Sequence, residues 1–226
     1  MDKVLITGTT SGLGRALAKT YTQAGYIVHS ISRNKPDHQY FDVHRSCDLE
    51  KISEVEQSIR LYCSDKHYYK YVFLNAGILG DLKKITETSL QEYNESFLIN
   101  VWANKIIIDN LLSYNSTEKI IAVSSGASSK GYFGWSQYCT TKASMRQLMN
   151  CYALEYPDVN FLSLAPGLIK TNMQSLIQTY NEEDIPSVKK FKDAYNVMQT
   201  PEECAEIIYD NIDSLSSGFF DLREIS

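Results

Sequence analysis

Short apolar runs alternate along the chain with longer stretches of helical period, and this alternation predicts βαβ units around a parallel sheet. Strands are predicted at Lys3–Ile6, Tyr26–Ile31, Tyr71–Leu74, Lys119–Val123 and Asn160–Leu164. KIIAV and NFLSL are nearly continuous in apolar character, as expected for strands covered on both faces. Helices are predicted over 12–24, 50–64, 91–113 and 136–155. The third, QEYNESFLINVWANKIIIDNLL, is apolar around much of its circumference, which predicts burial on more than one side. A last short strand at residues 217–222 is expected to close the sheet edge. The Pro-flanked, irregular stretch of 166–201 is read as a mobile lid over a site.

Composition narrows this picture. A length of 226 residues suits one domain, and the formal charge of −5 offers no electrostatic grip on nucleic acid or anionic lipid. Neither is expected as a partner. Met1-Asp2-Lys3 shows no secretory leader, and no run approaches the roughly 20 apolar residues of a membrane span, so a soluble cytoplasmic protein is expected. The 5 cysteines lack a C-x-x-C pair and read as buried free thiols. The 4 histidines form no ligand cluster, and no metal site is expected.

Chemistry first appears where glycine concentrates. The first strand ends in Gly8-Thr9-Thr10-Ser11-Gly12-Leu13-Gly14, and a helical pattern follows at once. Glycine lets backbone approach a pyrophosphate, and a helix N-terminus offers it unpaired N–H groups. The spacing G-x-x-x-G-x-G differs from the G-x-G-x-x-G fingerprint, and turn geometry alone would account for such glycines. The second strand discriminates: it ends Ser32-Arg33-Asn34, with no acid before Asp37. NAD sites usually carry an acid there, whereas Arg33, with Ser32 or Asn34 beside it, suits the 2′-phosphate of NADP.

A second constellation is Ser125, Tyr138 and Lys142. Residues i and i+4 share a helix face, so Tyr138 and Lys142 are adjacent, and an ammonium beside a phenol is expected to lower its pKa. Ser125 ends the strand KIIAVSS, where open α/β sheets hold ligands, and can donate to a carbonyl oxygen while Tyr138 supplies a proton. Tyr132, Phe133, Trp135, Met173, Tyr180 and Phe191 are candidates for an apolar wall suited to flat ketones, with core packing as the competing explanation.

These motifs, in this order, resemble the short-chain dehydrogenase/reductase family over nearly the whole chain. The resemblance implies a single Rossmann-type domain over residues 1–226, doubly wound α/β, with a mostly parallel seven-stranded sheet and helices on both faces. It places TGTTSGLG on the cofactor, Asp48-Leu49 against the adenine, and Asn75-Ala76-Gly77 in support of the central sheet. Asn100, Ser125, Tyr138 and Lys142 match the catalytic tetrad, with Asn100 positioning a water that refills the proton through Lys142 and Lys142 also holding the nicotinamide ribose. Pro166, Gly167, Ile169 and Thr171 match the segment that holds the nicotinamide carboxamide, with Met173 beside it. The sequence is also similar to the sepiapterin reductase-like branch, especially the bacterial benzil reductases and their yeast relatives. This implies NADPH-dependent reduction of a 1,2-dicarbonyl compound to an α-hydroxy ketone, and a homodimer. Ser125, Trp135, Tyr138 and Met173 are the expected substrate contacts, and Asp221 matches an Asp that holds the pterin in sepiapterin reductase. Two other readings stay open: a reductase of a biosynthetic sugar or acyl ketone, and a cofactor-binding sensor without turnover.

Overall fold

The computed structural model describes residues 1–64 and 67–225. Its strands are β1 Lys3–Thr7, β2 Ile27–Ser32, β3 Val43–Ser46, β4 Tyr69–Leu74, β5 Thr117–Val123, β6 Asn160–Ala165 and β7 Gly218–Asp221. They form one 7-stranded sheet in the order β3-β2-β1-β4-β5-β6-β7. Every neighbouring pair is parallel. The helices are α1 Gly12–Gln23, α2 Ile52–Ser64, α3 Leu90–Phe97, α4 Ala103–Ser113, α5 Ser136–Glu155, α6 Asn172–Gln178, α7 Lys189–Ala194 and α8 Pro201–Asn211.

Strand alternation divides the core between the two faces of the sheet. Val4 and Ile6 of β1 pack with Leu17 of α1 and Ile208 of α8. Leu5, between them in sequence, joins Ile59 of α2, Ile107 of α4 and Met149 of α5 on the opposite face. Helices therefore cover both sides, and the central strands read as continuous apolar runs for that reason. A third cluster, with Trp135, Tyr138, Ile177, Val188 and Phe191, lies apart from both and ties α6 and α7 to the start of α5.

The predicted strands form within a residue or two of their expected bounds, and β7 is the sheet edge. Strand β3 went unseen because VHRS lies at the other edge and carries no buried apolar run. The helix expected over 91–113 is broken into α3 and α4 by a π-helical turn at Leu98–Trp102, which holds Asn100. The stretch 166–201 is folded, with α6 and α7 inside it, and Thr200 and Glu203 close a reciprocal capping box at the head of α8. Cys47, Cys63 and Cys204 are buried, Cys139 is half-buried and Cys151 is exposed, which corrects the expectation of uniformly buried thiols. Among the described residues no helix is long and apolar enough to cross a membrane, and no group of three or more His, Cys, Asp or Glu is placed to hold a metal ion.

Candidate active site

A cleft of about 630 Å³ opens at the carboxyl ends of the strands. It lies where the strand order reverses around β1, the usual ligand crevice of an open α/β sheet. Its first wall is the turn between β1 and α1. Gly8 and Gly12 adopt φ of 75° and 54°, a region that side chains disfavour. A Cβ on Gly14 would lie 2.2 Å from the Gly8 carbonyl oxygen, so the helix can start this close to the turn only with glycine there. Ser11 is the N-cap of α1, but its side chain caps nothing and no acid occupies the first turn. The positive end of the helix is left facing the cleft, where Thr10, Ser11, Gly12 and Leu13 line it. This donor set fits the pyrophosphate of a dinucleotide.

The β4 end is stitched to that turn. The Asn75 amide donates to the carbonyls of Thr7 and Gly8 at 3.0 and 3.2 Å, and the Thr7 hydroxyl accepts from the N–H groups of Asn75 and Ala76, each at 3.0 Å. Gly77 threads a narrow gap, since a Cβ there would lie 3.0 Å from Asn100 Oδ1 and 3.7 Å from Lys142 Nζ. Asp48, Leu49, Asn75, Ala76 and Gly77 all line the cleft. So do Ser32 and the exposed Arg33, for which no ion pair occurs among the described residues. Asn34 is absent from the lining, although its carbonyl accepts a hydrogen bond from the Ser32 hydroxyl at 2.8 Å. From the far side, Pro166, Gly167, Ile169, Thr171 and Met173 complete the wall, and a Cβ on Gly12 would come within 3.2 Å of the Thr171 methyl.

Ser125, Tyr138 and Lys142 converge on the same cleft. Ser125 Oγ accepts from the Ala127 N–H at 3.2 Å, which turns the chain sharply after β5. Tyr138, only 8% exposed, projects from the first turn of α5. Lys142 Nζ lies 5.5 Å from the Tyr138 ring centroid and donates to the Val123 carbonyl at 2.7 Å. Burial pushes the Tyr138 phenol up to about 12, with the nearby Ser125 hydroxyl opposing the shift. Burial also brings Lys142 down to about 8. The expected lowering of the phenol by its neighbouring ammonium is thus overridden, because desolvation disfavours both charges.

Asn100 lies behind this wall. Its Oδ1 accepts from the Ile78 N–H at 2.9 Å, and its Nδ2 donates to the Ile78 carbonyl at 2.9 Å and to Thr141 Oγ1 at 3.1 Å. The side chain therefore fixes the loop after β4 to α5 through three hydrogen bonds.

Of the predicted apolar wall, Tyr132, Trp135, Met173 and Phe191 line the cleft. Phe133 and Tyr180 do not: Phe133 is 49% exposed, and the Tyr180 hydroxyl accepts from the Leu82 N–H at 3.2 Å on another surface. Asp221 is absent from the lining as well. Its carboxylate is chelated by Arg223, whose Nε donates at 2.8 Å, and it is Arg223 that reaches the cleft. Lys190, Arg223 and Ile78 are lining residues with no local signal in the sequence, since each is an ordinary surface or loop residue until the chain folds.

The short chain dehydrogenase family profile matches residues 2–182. Benzil reductase ((S)-benzoin forming) of Bacillus subtilis (strain 168) is 31% identical over 206 residues, covering 85% of this chain and 84% of its own. Sepiapterin reductase of Rattus norvegicus is 26% identical over 200 residues, covering 76% of each chain. Among solved structures, a short chain dehydrogenase/reductase from Saccharomyces cerevisiae superposes with a TM-score of 0.87 at 18% identity, over 99% of this chain and 97% of its own. The parallel sheet, the glycine turn at its reversal point and these likenesses agree, and the chain belongs to the short chain dehydrogenase family, oxidoreductases that interconvert carbonyl and CH–OH groups with a nicotinamide cofactor.

Proposed function

We propose that this chain is an NADPH-dependent carbonyl reductase that converts one carbonyl of a 1,2-dicarbonyl compound to the α-hydroxy ketone. The observation that carries the reading is the convergence of Ser125, Tyr138 and Lys142 on a cleft whose other end is the open N-terminus of α1 and Arg33. The likeness to a benzil reductase supports the dicarbonyl substrate. Bound reduced nicotinamide supplies the hydride.

The residues of the chain do the rest. Gly8 and Gly12 keep the turn after β1 open to a pyrophosphate, Arg33 meets the 2′-phosphate, and Ile169 and Thr171 hold the carboxamide. Ser125 donates to the ketone oxygen and fixes its direction. Tyr138, with its pKa at about 12, keeps its proton at neutral pH until that oxygen gains charge, then donates it. The Lys142 ammonium stabilises the phenolate left behind and bonds the nicotinamide ribose. Asn100 is a positioning residue: it holds Ile78 and Thr141, and through them the spacing between the β4 loop and α5. Trp135 and Phe191 exclude water from a flat ketone.

A substrate panel of benzil, isatin and 1-phenylpropane-1,2-dione, run with NADPH and NADH in parallel, tests the reading. NADPH consumption with at least one diketone is expected, and Arg33→Asp is expected to reduce the NADPH preference at least tenfold, since a charge-assisted bond contributes about 1.5–3 kcal/mol. A folded protein that binds NADPH and consumes none with any of these compounds overturns it.

A further inference from the structure

The ketone end of the cleft carries a feature that neutral diketone reduction does not require. Trp135 and Phe191 stack with centroids 4.7 Å apart and planes 22° apart, and Tyr132 packs against them at 5.6 and 5.9 Å. This aromatic corner begins beside the phenol of Tyr138, whose ring lies 6.1 Å from Trp135. Lys190, from α7, sits over it: its Nζ is 3.8 Å from the Tyr132 centroid and 4.8 Å from that of Phe191.

The charge on Lys190 is not neutralised by a carboxylate among the described residues. Its neighbour Lys189 lies 3.8 Å from Glu182 and 3.7 Å from Asp193, so these two acids face the other lysine. Asp221, beside the cleft-lining Arg223, is neutralised by it. Arg223 chelates it through Nε and Nη2, which holds its carboxyl below the ordinary value and cancels its repulsion toward an anion. Of the charged residues lining the cleft, the cations Arg33, Lys142 and Lys190 have no carboxylate partner among the described residues, Arg223 is neutralised by Asp221, and Asp48 is the acid, in a protein of net charge −5. Positive potential is thus concentrated in the cleft against the sign of the molecule. Arg33 and Lys142 have roles toward the nucleotide, whereas Lys190 lies past Tyr138 on the aromatic side.

We infer that the cleft selects an aromatic ketone bearing an anionic group on the far side of its ring from the reacting carbonyl, with Lys190 as the residue that recognises the charge. The inference rests on the carbonyl-reductase reading and specifies its substrate class. The aryl ring fills the corner of Tyr132, Trp135 and Phe191, and its anionic substituent reaches Lys190. A carboxylate directly attached to the reacting carbonyl is not the matching geometry, because Lys190 is separated from Tyr138 by the depth of that corner. In the reaction the ketone carbon gains hydride as the nicotinamide is oxidised, its oxygen takes the Tyr138 proton, solvent returns that proton, and the anionic substituent is unchanged.

The experiment compares 1-phenylpropane-1,2-dione carrying a 4-carboxylate with the same diketone carrying a 4-carboxamide, which keeps shape and polarity but lacks the charge. Two readouts are taken: kcat/KM with NADPH, and calorimetric affinity for enzyme loaded with oxidised cofactor, where no turnover occurs. Wild type is expected to favour the carboxylate about tenfold, the factor given by one charge-assisted contact, with the preference weakening as salt rises. Lys190→Gln is expected to bring the ratio close to one, and Lys190→Arg to retain most of it. Equal handling of the two compounds by wild type, or a preference that survives Lys190→Gln, overturns the inference while leaving diketone reduction intact. A Lys190-dependent affinity for the carboxylate without any NADPH consumption supports the anion site and overturns the reductase reading instead.

Discussion

At the end of the cleft proposed for the nucleotide, backbone contacts do the positioning; at the end proposed for the ketone, packed side chains do. The turn after β1 is held by the absence of side chains at Gly8, Gly12 and Gly14 and by the Asn75 amide bridging two carbonyls. Its geometry is specified by a few short-range constraints that tolerate almost no change. The aromatic corner depends on Trp135, Phe191 and Tyr132 meeting from α7 and the loop before α5, within a core cluster separate from the two that flank the sheet. Many contacts share the work there, so this end can be altered residue by residue. The two ends are thus built by different kinds of constraint.

That contrast makes graded predictions, and the largest falls between the two ends. Tyr138→Phe is expected to slow reduction by roughly 10²–10⁴-fold, the usual worth of a positioned general acid, while cofactor affinity stays within about twofold. Steady-state kinetics paired with fluorescence titration of NADPH measures both, and equal damage to the two would remove Tyr138 from the proton-donor role. Next comes Gly14→Ala, whose new methyl would meet the Gly8 oxygen at 2.2 Å and Asn75 Nδ2 at 2.5 Å. A loss of about 1–3 kcal/mol in denaturant unfolding is expected from such overpacking, together with at least tenfold weaker cofactor binding. Unchanged cofactor affinity would show that the turn is not the rigid element described.

Phe191→Ala probes the other end. Losing its stack on Trp135 is expected to raise the ketone KM by up to about tenfold with cofactor affinity preserved, since aromatic pairs contribute about 0.5–1.5 kcal/mol beyond buried area. Parallel weakening of both ligands would erase the distinction between the two regions. The smallest effect is in pH. Lys142, lowered by burial to about 8, holds its proton below that pH and loses it above, whereas Tyr138 at about 12 stays protonated throughout. Reductive kcat/KM is accordingly expected to be flat below about pH 8 and to decline above it, with Lys142→Arg moving the decline to higher pH. A profile that stays flat to pH 10 would detach Lys142 from the step.

The nucleotide end was far more legible in the sequence than the ketone end. A glycine turn between a strand and a helix is written in consecutive residues, and Tyr138 and Lys142 share a helix face by spacing alone. Edge strand β3 escaped because VHRS buries no continuous apolar face. Helix α8 carried an unread signal, Thr200-Pro-Glu-Glu203, a capping box with proline at its first helical position. Phe133 and Tyr180 were grouped with Trp135 and Phe191 by residue type, but composition cannot tell which of several aromatic side chains turns toward a cleft.

The alternating apolar runs by themselves determined a parallel sheet sandwiched by helices, because strand and helix periods and glycine's conformational freedom act over a few neighbouring residues. Tertiary structure alone decided that burial would raise the Tyr138 phenol despite Lys142, that Asp221 would be tied to Arg223, that Asn100 would sit in a π-helical turn with its amide engaged, and that Lys190 would lie over Tyr132. The effective charge of a group depends on its burial and on its partners, and for Tyr138 and Lys190 these come from segments brought together only when the whole chain has folded.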